Sequence, residues 1–172
     1  PTWRNCWRCT TASSASWAAS AERQLAPMRL LPYAMLDSAA RDPAACAIQR
    51  GGEFLAYGDL ASRSRALAGY LRGEGLKSGD RVALLFESGP DYALGCYGAW
   101  LAGAAVLGLN AAARGDELAS IVEHAGCRFL LVDGAHPEAA ALVRALGSSV
   151  HVVARGAQRL GESRAQRPPD HH

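Results

Sequence analysis

The chain has 172 residues, 49% of them hydrophobic, enough for one domain of ordinary size with a buried core. Its formal net charge of +2 resides at its ends: residues 28–153 hold eleven basic and thirteen acidic side chains, which argues against nucleic-acid binding. Five scattered cysteines, an odd number, make no disulfide framework, and the cytoplasm is the expected compartment.

Residues 1–27 set Trp3, Trp7 and Trp17 among Ser, Thr and Ala without a helical or strand period, and read as a disordered or non-native extension. Cys6 and Cys9 have CxxC spacing, but a structural zinc needs four ligands and no second Cys/His pair follows at a suitable distance. No secretory signal pattern is visible. The pattern becomes orderly at Met28, a natural start. The expectation is that 1–27 is not native coding sequence; an intact mass of natively expressed protein that includes Trp3 would refute it.

Pro32–Arg41 reads as a short helix with Tyr33, Leu36 and Ala40 apolar, stopped by Asp42-Pro43. Ala45–Gln49 and Glu53–Leu55 read as the strands of a hairpin turning at Gly51-Gly52. Asp59–Arg72 is amphipathic, with Leu60, Leu67 and Leu71 on one face beside Ala61, Ser64 and Ala68, and Gly73 and Gly75 end it. Gly79–Asn110 is then a βαβ unit. Val82–Phe86 contains no polar residue, as a strand covered on both faces requires. Ser88 is expected to cap the next helix, with Pro90 at its first position and Asp91 facing the positive end of its dipole. Gly103 divides that helix from a second buried strand ending near Asn110. The stretch Tyr92–Ala113 carries no charge over 22 residues, long enough for a membrane-spanning helix. Its glycines at 95, 98, 103 and 108, and the strand before it, favour a helix followed by a strand.

Asp116–Ala125 places Leu118, Ile121, Val122 and Ala125 on one face. Arg128–Val132 is a strand closed by Asp133-Gly134, Pro137–Leu146 a helix burying Leu142, Val143 and Leu146, and Val150–Val153 a last strand. From Ala154 onward Arg, Gln, Gly and Pro dominate, and 154–172 reads as a disordered tail. The order β-α-β-α-β-α-β with short links implies an α/β fold: a doubly wound, mostly parallel sheet with helices on both faces.

In such sheets the ligand site lies beyond the carboxyl ends of the strands, here Glu87-Ser88-Gly89, Asn110, Asp133-Gly134 and Ala154. None of these carries a dinucleotide fingerprint or a Walker loop. The only lysine, Lys77, sits in a Gly-rich loop between elements. A nucleophile elbow at Ser88 would need glycines where Phe86 and Pro90 stand. His124, His136 and His151 have no Cys, Asp or Ser partner at a telling spacing, and Cys46, Cys96 and Cys127 read as small core residues. Read from its residues, the chain is an α/β domain without catalytic, cofactor-binding or metal-binding residues of its own.

Four segments nevertheless resemble one family. Leu55-Ala56-Tyr57-Gly58-Asp59-Leu60 is similar to Leu-Ser/Thr-Tyr-x-Glu-Leu, and Gly75-Leu76-Lys77-Ser78-Gly79-Asp80-Arg81-Val82 to Gly-hydrophobic-x-x-Gly-Asp-Arg-Val. The run from Tyr97-Gly98-Ala99-Trp100 through Gly103 to Leu109-Asn110 resembles a Lys-Ala-Gly helix end leading into a strand that closes with Pro-Leu-Asn. Leu118 to Arg128 matches the helix and strand that follow. Over 28–153 the chain thus resembles the N-terminal segment of the adenylate-forming superfamily, the AMP-forming acyl-CoA synthetases, luciferases and peptide-synthetase adenylation domains. Gly108 and Ala111 stand where the family often has proline. Trp100 replaces a common lysine, and Ala56 a capping Ser/Thr, at about 1 kcal/mol if nothing substitutes. Asn110 rather than Asp leans towards acyl-CoA synthetases.

The resemblance implies a parent enzyme that activates a carboxylic acid, expected to be a fatty acid, with ATP and magnesium and transfers the acyl group to coenzyme A. The family's phosphate loop and later nucleotide-binding groups have no counterpart here, so the isolated chain is expected to be inactive, with poor solubility from uncovered apolar surface. A non-catalytic α/β binding module is the alternative, and a single-span membrane protein a further one. The identity of the acid and the oligomeric state are not encoded legibly.

Overall fold

A computed structural model describes residues 30–155; Cys6, Cys9, the tryptophans of the leading segment and the residues from 156 onward lie outside it. Contacts divide the chain between Leu31 and Pro32, and the architecture below is that of the unit beginning at Pro32. The elements are α1 (Leu31–Arg41), β1 (Cys46–Arg50), β2 (Glu53–Ala56), α2 (Tyr57–Gly73), β3 (Arg81–Leu85), α3 (Pro90–Ala102), β4 (Ala105–Gly108), α4 (Gly115–His124), β5 (Phe129–Asp133), α5 (Ala139–Leu146) and β6 (His151–Arg155). β1 and β2 form an antiparallel hairpin. The other four strands form one parallel sheet in the order β4-β3-β5-β6.

Alternation along the two inner strands assigns the faces. Val82, Leu84, Phe129 and Leu131 join Leu67, Leu71, Cys96 and Ala99 of α2 and α3 in one core. Ala83, Leu85, Leu130 and Val132 join Leu118, Val122, Leu142 and Leu146 of α4 and α5 in the other. Helices therefore cover both faces, as right-handed crossovers require when strands are laid down first on one side of β3 and then on the other. A third, smaller core of Met35, Leu55, Leu60, Ala61 and Leu94 ties α1 and the hairpin to α2 and α3.

The amino end of the sheet is pinned by charge. Asp80 accepts a hydrogen bond from the Lys77 amide at 2.8 Å and pairs with Arg128 at 2.7 Å. Arg81 Nη1 donates to Ala125 O at 2.8 Å, satisfying the carbonyl of the residue that caps the end of α4. The Gly-Asp-Arg-Val segment is thus a structural clasp between the start of β3 and the α4–β5 link.

As the glycines and the preceding strand predict, the uncharged stretch from Tyr92 is a helix followed by a strand, the 13-residue α3 and then β4, and no described helix is long and apolar enough to cross a membrane. Gly103, with φ 92°, makes the left-handed turn between them that a Cβ would disfavour. Several other expectations are corrected. β4 is not buried on both faces: it is an edge strand with its middle residues only half-buried. Ser88 is exposed and does not cap α3; Pro90 opens that helix, making Gly89 the N-cap, in the extended backbone that a residue before proline prefers. α2 begins two residues earlier than Asp59. Its uncapped Ala56 carries no penalty in these amides, because Tyr57 N and Gly58 N donate to Ala45 O and Pro43 O, both at 2.9 Å. Ile121 is exposed on α4, whose buried stripe is Leu118, Ala119 and Val122. Pro137 lies in the turn before α5, and β6 runs on through Ala154 to Arg155, so these two residues, expected in the tail, belong to a strand.

Candidate functional site at the carboxyl end of the sheet

The chain leaves β3 toward β4 on one side, and leaves β5 toward β6 on the other. The neighbouring carboxyl ends of β3 and β5 are therefore the topological switch point, where the departing loops diverge and leave a crevice. Three loops border it: 86–89 after β3, 109–114 after β4 and 134–138 after β5. Of the strand-end positions singled out by sequence, Glu87, Gly89, Asn110 and Gly134 lie in these loops, and Asp133 ends β5. Ala154 does not join them, because it is still paired within β6, opposite Val132.

Each loop is held by its own polar groups. Glu87 Oε2 pairs with Arg50 Nη2 of the hairpin at 3.0 Å, an exposed ion pair between the hairpin and the loop after β3. Asn110 Oδ1 accepts from Ala112 N at 3.0 Å and Asp133 Oδ1 from Ala135 N at 3.0 Å, two side-chain-closed turns. Glu138 Oε2 accepts from Gly115 N at 2.8 Å, so a carboxylate from the β5–α5 loop satisfies the first amide of α4. An open depression of about 420 Å³ lies beside this contact, with Arg114, Asp116, Glu138 and Arg144 on its rim. Its two guanidinium groups and two carboxylates balance, and it has no net charge to attract an ion.

The groups weighed for chemistry are spread over the fold. Lys77 lies at the opposite, amino end of the sheet. His124 ends α4 on the surface, and His151 opens β6, 3.6 Å from Glu74 and with its ring 5.1 Å from that of Phe129. Among the described residues His136 is the one histidine in these loops, and it bonds backbone: Ala111 O at 3.0 Å and Glu138 N at 3.2 Å. Cys46 is exposed rather than in the core, whereas Cys96 and Cys127 are buried as expected. Burial pushes both buried thiols up, opposed at Cys96 by the Tyr92 hydrogen bond and at Cys127 by Arg81, so neither is a ready nucleophile. Among the described residues no three His, Cys, Asp or Glu side chains come together to hold a metal ion. The arrangement can orient loops; among the described residues it contains no paired nucleophile and base. Arg50 and Glu138 were not visible as site residues in sequence, because their partners lie 37 and 23 residues away with no spacing to mark them.

A family model described as AMP-binding enzyme matches residues 35–171. Indigoidine synthase of Streptomyces lavendulae is 35% identical over 101 residues, 59% of this chain and 8% of that protein. Long-chain-fatty-acid–CoA ligase of Bacillus subtilis is 36% identical over 84 residues, 49% of this chain and 15% of that protein. Among solved structures, the nonribosomal peptide synthetase FmoA3 in its AMPPNP-bound form superposes with a TM-score of 0.67 at 29% identity, covering 74% of this chain and 13% of that one. The chain therefore spans a small part of the length of the proteins it matches.

Proposed function

The chain belongs to the AMP-binding enzyme family, within the adenylate-forming ligases, and from that premise we infer that it forms the N-terminal scaffold of a ligase that activates a carboxylic acid with ATP as an acyl-adenylate and passes the acyl group to coenzyme A. The observation that carries this reading is the family match across nearly all of the doubly wound sheet and its helices. ATP, magnesium and coenzyme A are proposed for the longer protein, and the cytoplasm, where the free thiols Cys46, Cys96 and Cys127 stay reduced, as its compartment. The described residues do not fit those groups: the single lysine lies at the opposite, amino end of the sheet, and no metal-binding cluster forms among them. No reaction step is therefore assigned to them. Their contribution is to fix β3 and β5 under both helical layers and to hold the three carboxyl-end loops in place.

A second reading, the adenylation segment of a peptide synthetase, draws on the likeness to indigoidine synthase and FmoA3. The test has two arms. The 172-residue chain should give no acid-dependent ATP–pyrophosphate exchange, and measurable exchange overturns the scaffold assignment. Translation of the downstream DNA in three frames should reveal a Ser/Thr/Gly-rich phosphate loop; its absence favours a free-standing, non-catalytic α/β module instead. If the loop is found, assaying the complete protein with coenzyme A and with carrier-protein acceptors separates the two ligase readings.

A further inference from the structure

β4 and β5 flank β3, so any link between the loops that follow them passes over the carboxyl end of β3 on the side of α4 and α5. His136 makes such a link. Its Nδ1 accepts from Glu138 N at 3.2 Å, and its Nε2 stands 3.0 Å from Ala111 O, which can only accept. Both contacts demand the same neutral tautomer, with the proton on Nε2 and the lone pair on Nδ1. Glu138 then closes a second tie by accepting from Gly115 N at 2.8 Å. At Gly115 α4 approaches α5 so closely that a Cβ would lie 2.7 Å from Ala141 Cβ. A third tie, Leu109 N to Leu84 O at 2.9 Å, anchors the first loop to β3 itself.

We propose that His136 is a latch, locked in one tautomer, that joins the β4–α4 and β5–α5 loops into a single strap across the end of β3, and that protonation at Nδ1 frees the Glu138 amide and loosens the Glu138–Gly115 tie while the Nε2–H bond to Ala111 O stays in place. An imidazolium has no acceptor and would turn an N–H toward the Glu138 N–H, which loses its partner. Charged groups on the elements packed here include Asp133 at the end of β5, Glu138, Arg144 on α5, Arg114 with Asp116, which pair at 3.6 Å, Glu117, Glu123 and His124 further along α4, and Glu87 after β3. The strap closes the crevice on its α4/α5 side and leaves access from the side of Arg50 and Glu87.

The test uses the 172-residue chain labelled with 15N. Ring-nitrogen chemical shifts at neutral pH should place the proton on Nε2 of His136; a proton on Nδ1 overturns the proposal. As the ring titrates, amide exchange at Glu138 and Gly115 should accelerate together, and exchange at one that is independent of the ring overturns the strap. In His136→Leu the same two amides should exchange roughly fivefold faster at neutral pH, as expected for loss of one hydrogen bond. Amides of β3 should stay protected, and unchanged exchange at Gly115 counts against the latch. Should that variant fail to fold, the tautomer and titration readings on the unmodified chain still decide the matter.

Discussion

Substituting Gly98 by alanine tests the closest approach between the two helices that cover the first face of the sheet. Gly98 lies on α3, and a Cβ built there would stand 2.6 Å from Leu67 Cδ2, 2.8 Å from its Cγ and 3.0 Å from its Cβ. Leu67 is 3% exposed, and three of its atoms, including the one nearest the α2 backbone, lie in the path. A rotamer change cannot clear them all, so α2 and α3 must separate. Overpacking of that kind costs about 1–3 kcal/mol. Replacing glycine by alanine inside a helix returns about 1 kcal/mol, leaving a net change between none and a loss of about 2 kcal/mol. Gly69, on the exposed side of α2 with nothing within 4 Å of where a Cβ would stand, supplies the control. Gly69→Ala should show the helical gain alone, about 1 kcal/mol, so the two variants should differ by about 1–3 kcal/mol. Urea unfolding followed by far-ultraviolet circular dichroism measures that difference. Gly98→Ala matching or exceeding Gly69→Ala in stability would refute the packing argument. Leu67→Ala combined with Gly98→Ala should cost less than the sum of the single changes, since each relieves the other.

Ser64 Oγ is fully buried in α2 without a hydrogen-bond partner, so Ser64→Ala should raise stability by about 1 kcal/mol in the same urea assay. Gly108 is packed against Tyr92, whose hydroxyl would stand 2.5 Å from an added Cβ; Gly108→Ala should lower the unfolding midpoint and Tyr92→Phe should restore much of it. Iodoacetamide should label Cys46 in the native chain and reach Cys96 and Cys127 only on unfolding, as peptide mass mapping will read. Burial raises both buried thiols above their ordinary value, so the neutral forms favour the native state and stability falls as pH climbs through the thiol range; Cys96→Ala with Cys127→Ala should flatten that alkaline fall in urea midpoint.

The fold was legible where burial alone sets the pattern. Val82–Phe86 and the strand at Phe129–Val132 are apolar because both faces are covered, and the parallel sheet follows from the alternation. What escaped was set by neighbours. The apolar run of β4 cannot say whether a strand lies on both its sides, and here one side is open. Ala56 looks like a missing cap only until the chain folds back and Pro43 and Ala45 offer their carbonyls. Ile121 fits a wider helical stripe than α4 buries, because α5 covers only the Leu118–Val122 side. At the crevice, strand ends located the loops at Glu87, Asn110 and Asp133, but not the contacts that hold them. The bonds of His136 to Ala111 and of Glu138 to Gly115 join segments 25 and 23 residues apart, and no local spacing encodes them.

The division of the core between the two faces has a consequence for the order of assembly. The first face draws its buried residues from the contiguous stretch Leu67 to Ala104, apart from Phe129 and Leu131, while the second needs residues from Ala83 through to Val150. Contacts close in sequence form early, because little loop entropy is spent before they are rewarded. As the chain emerges during synthesis, α2, β3 and α3 can collapse together while the residues of β5 are still unmade. β3 would then wait with one side covered and the other bare, and arrival of β5 and α4 would complete it. A pause in translation just after Asn110 is therefore the point at which the nascent chain exposes the most unprotected apolar surface, and at which a chaperone would be most useful.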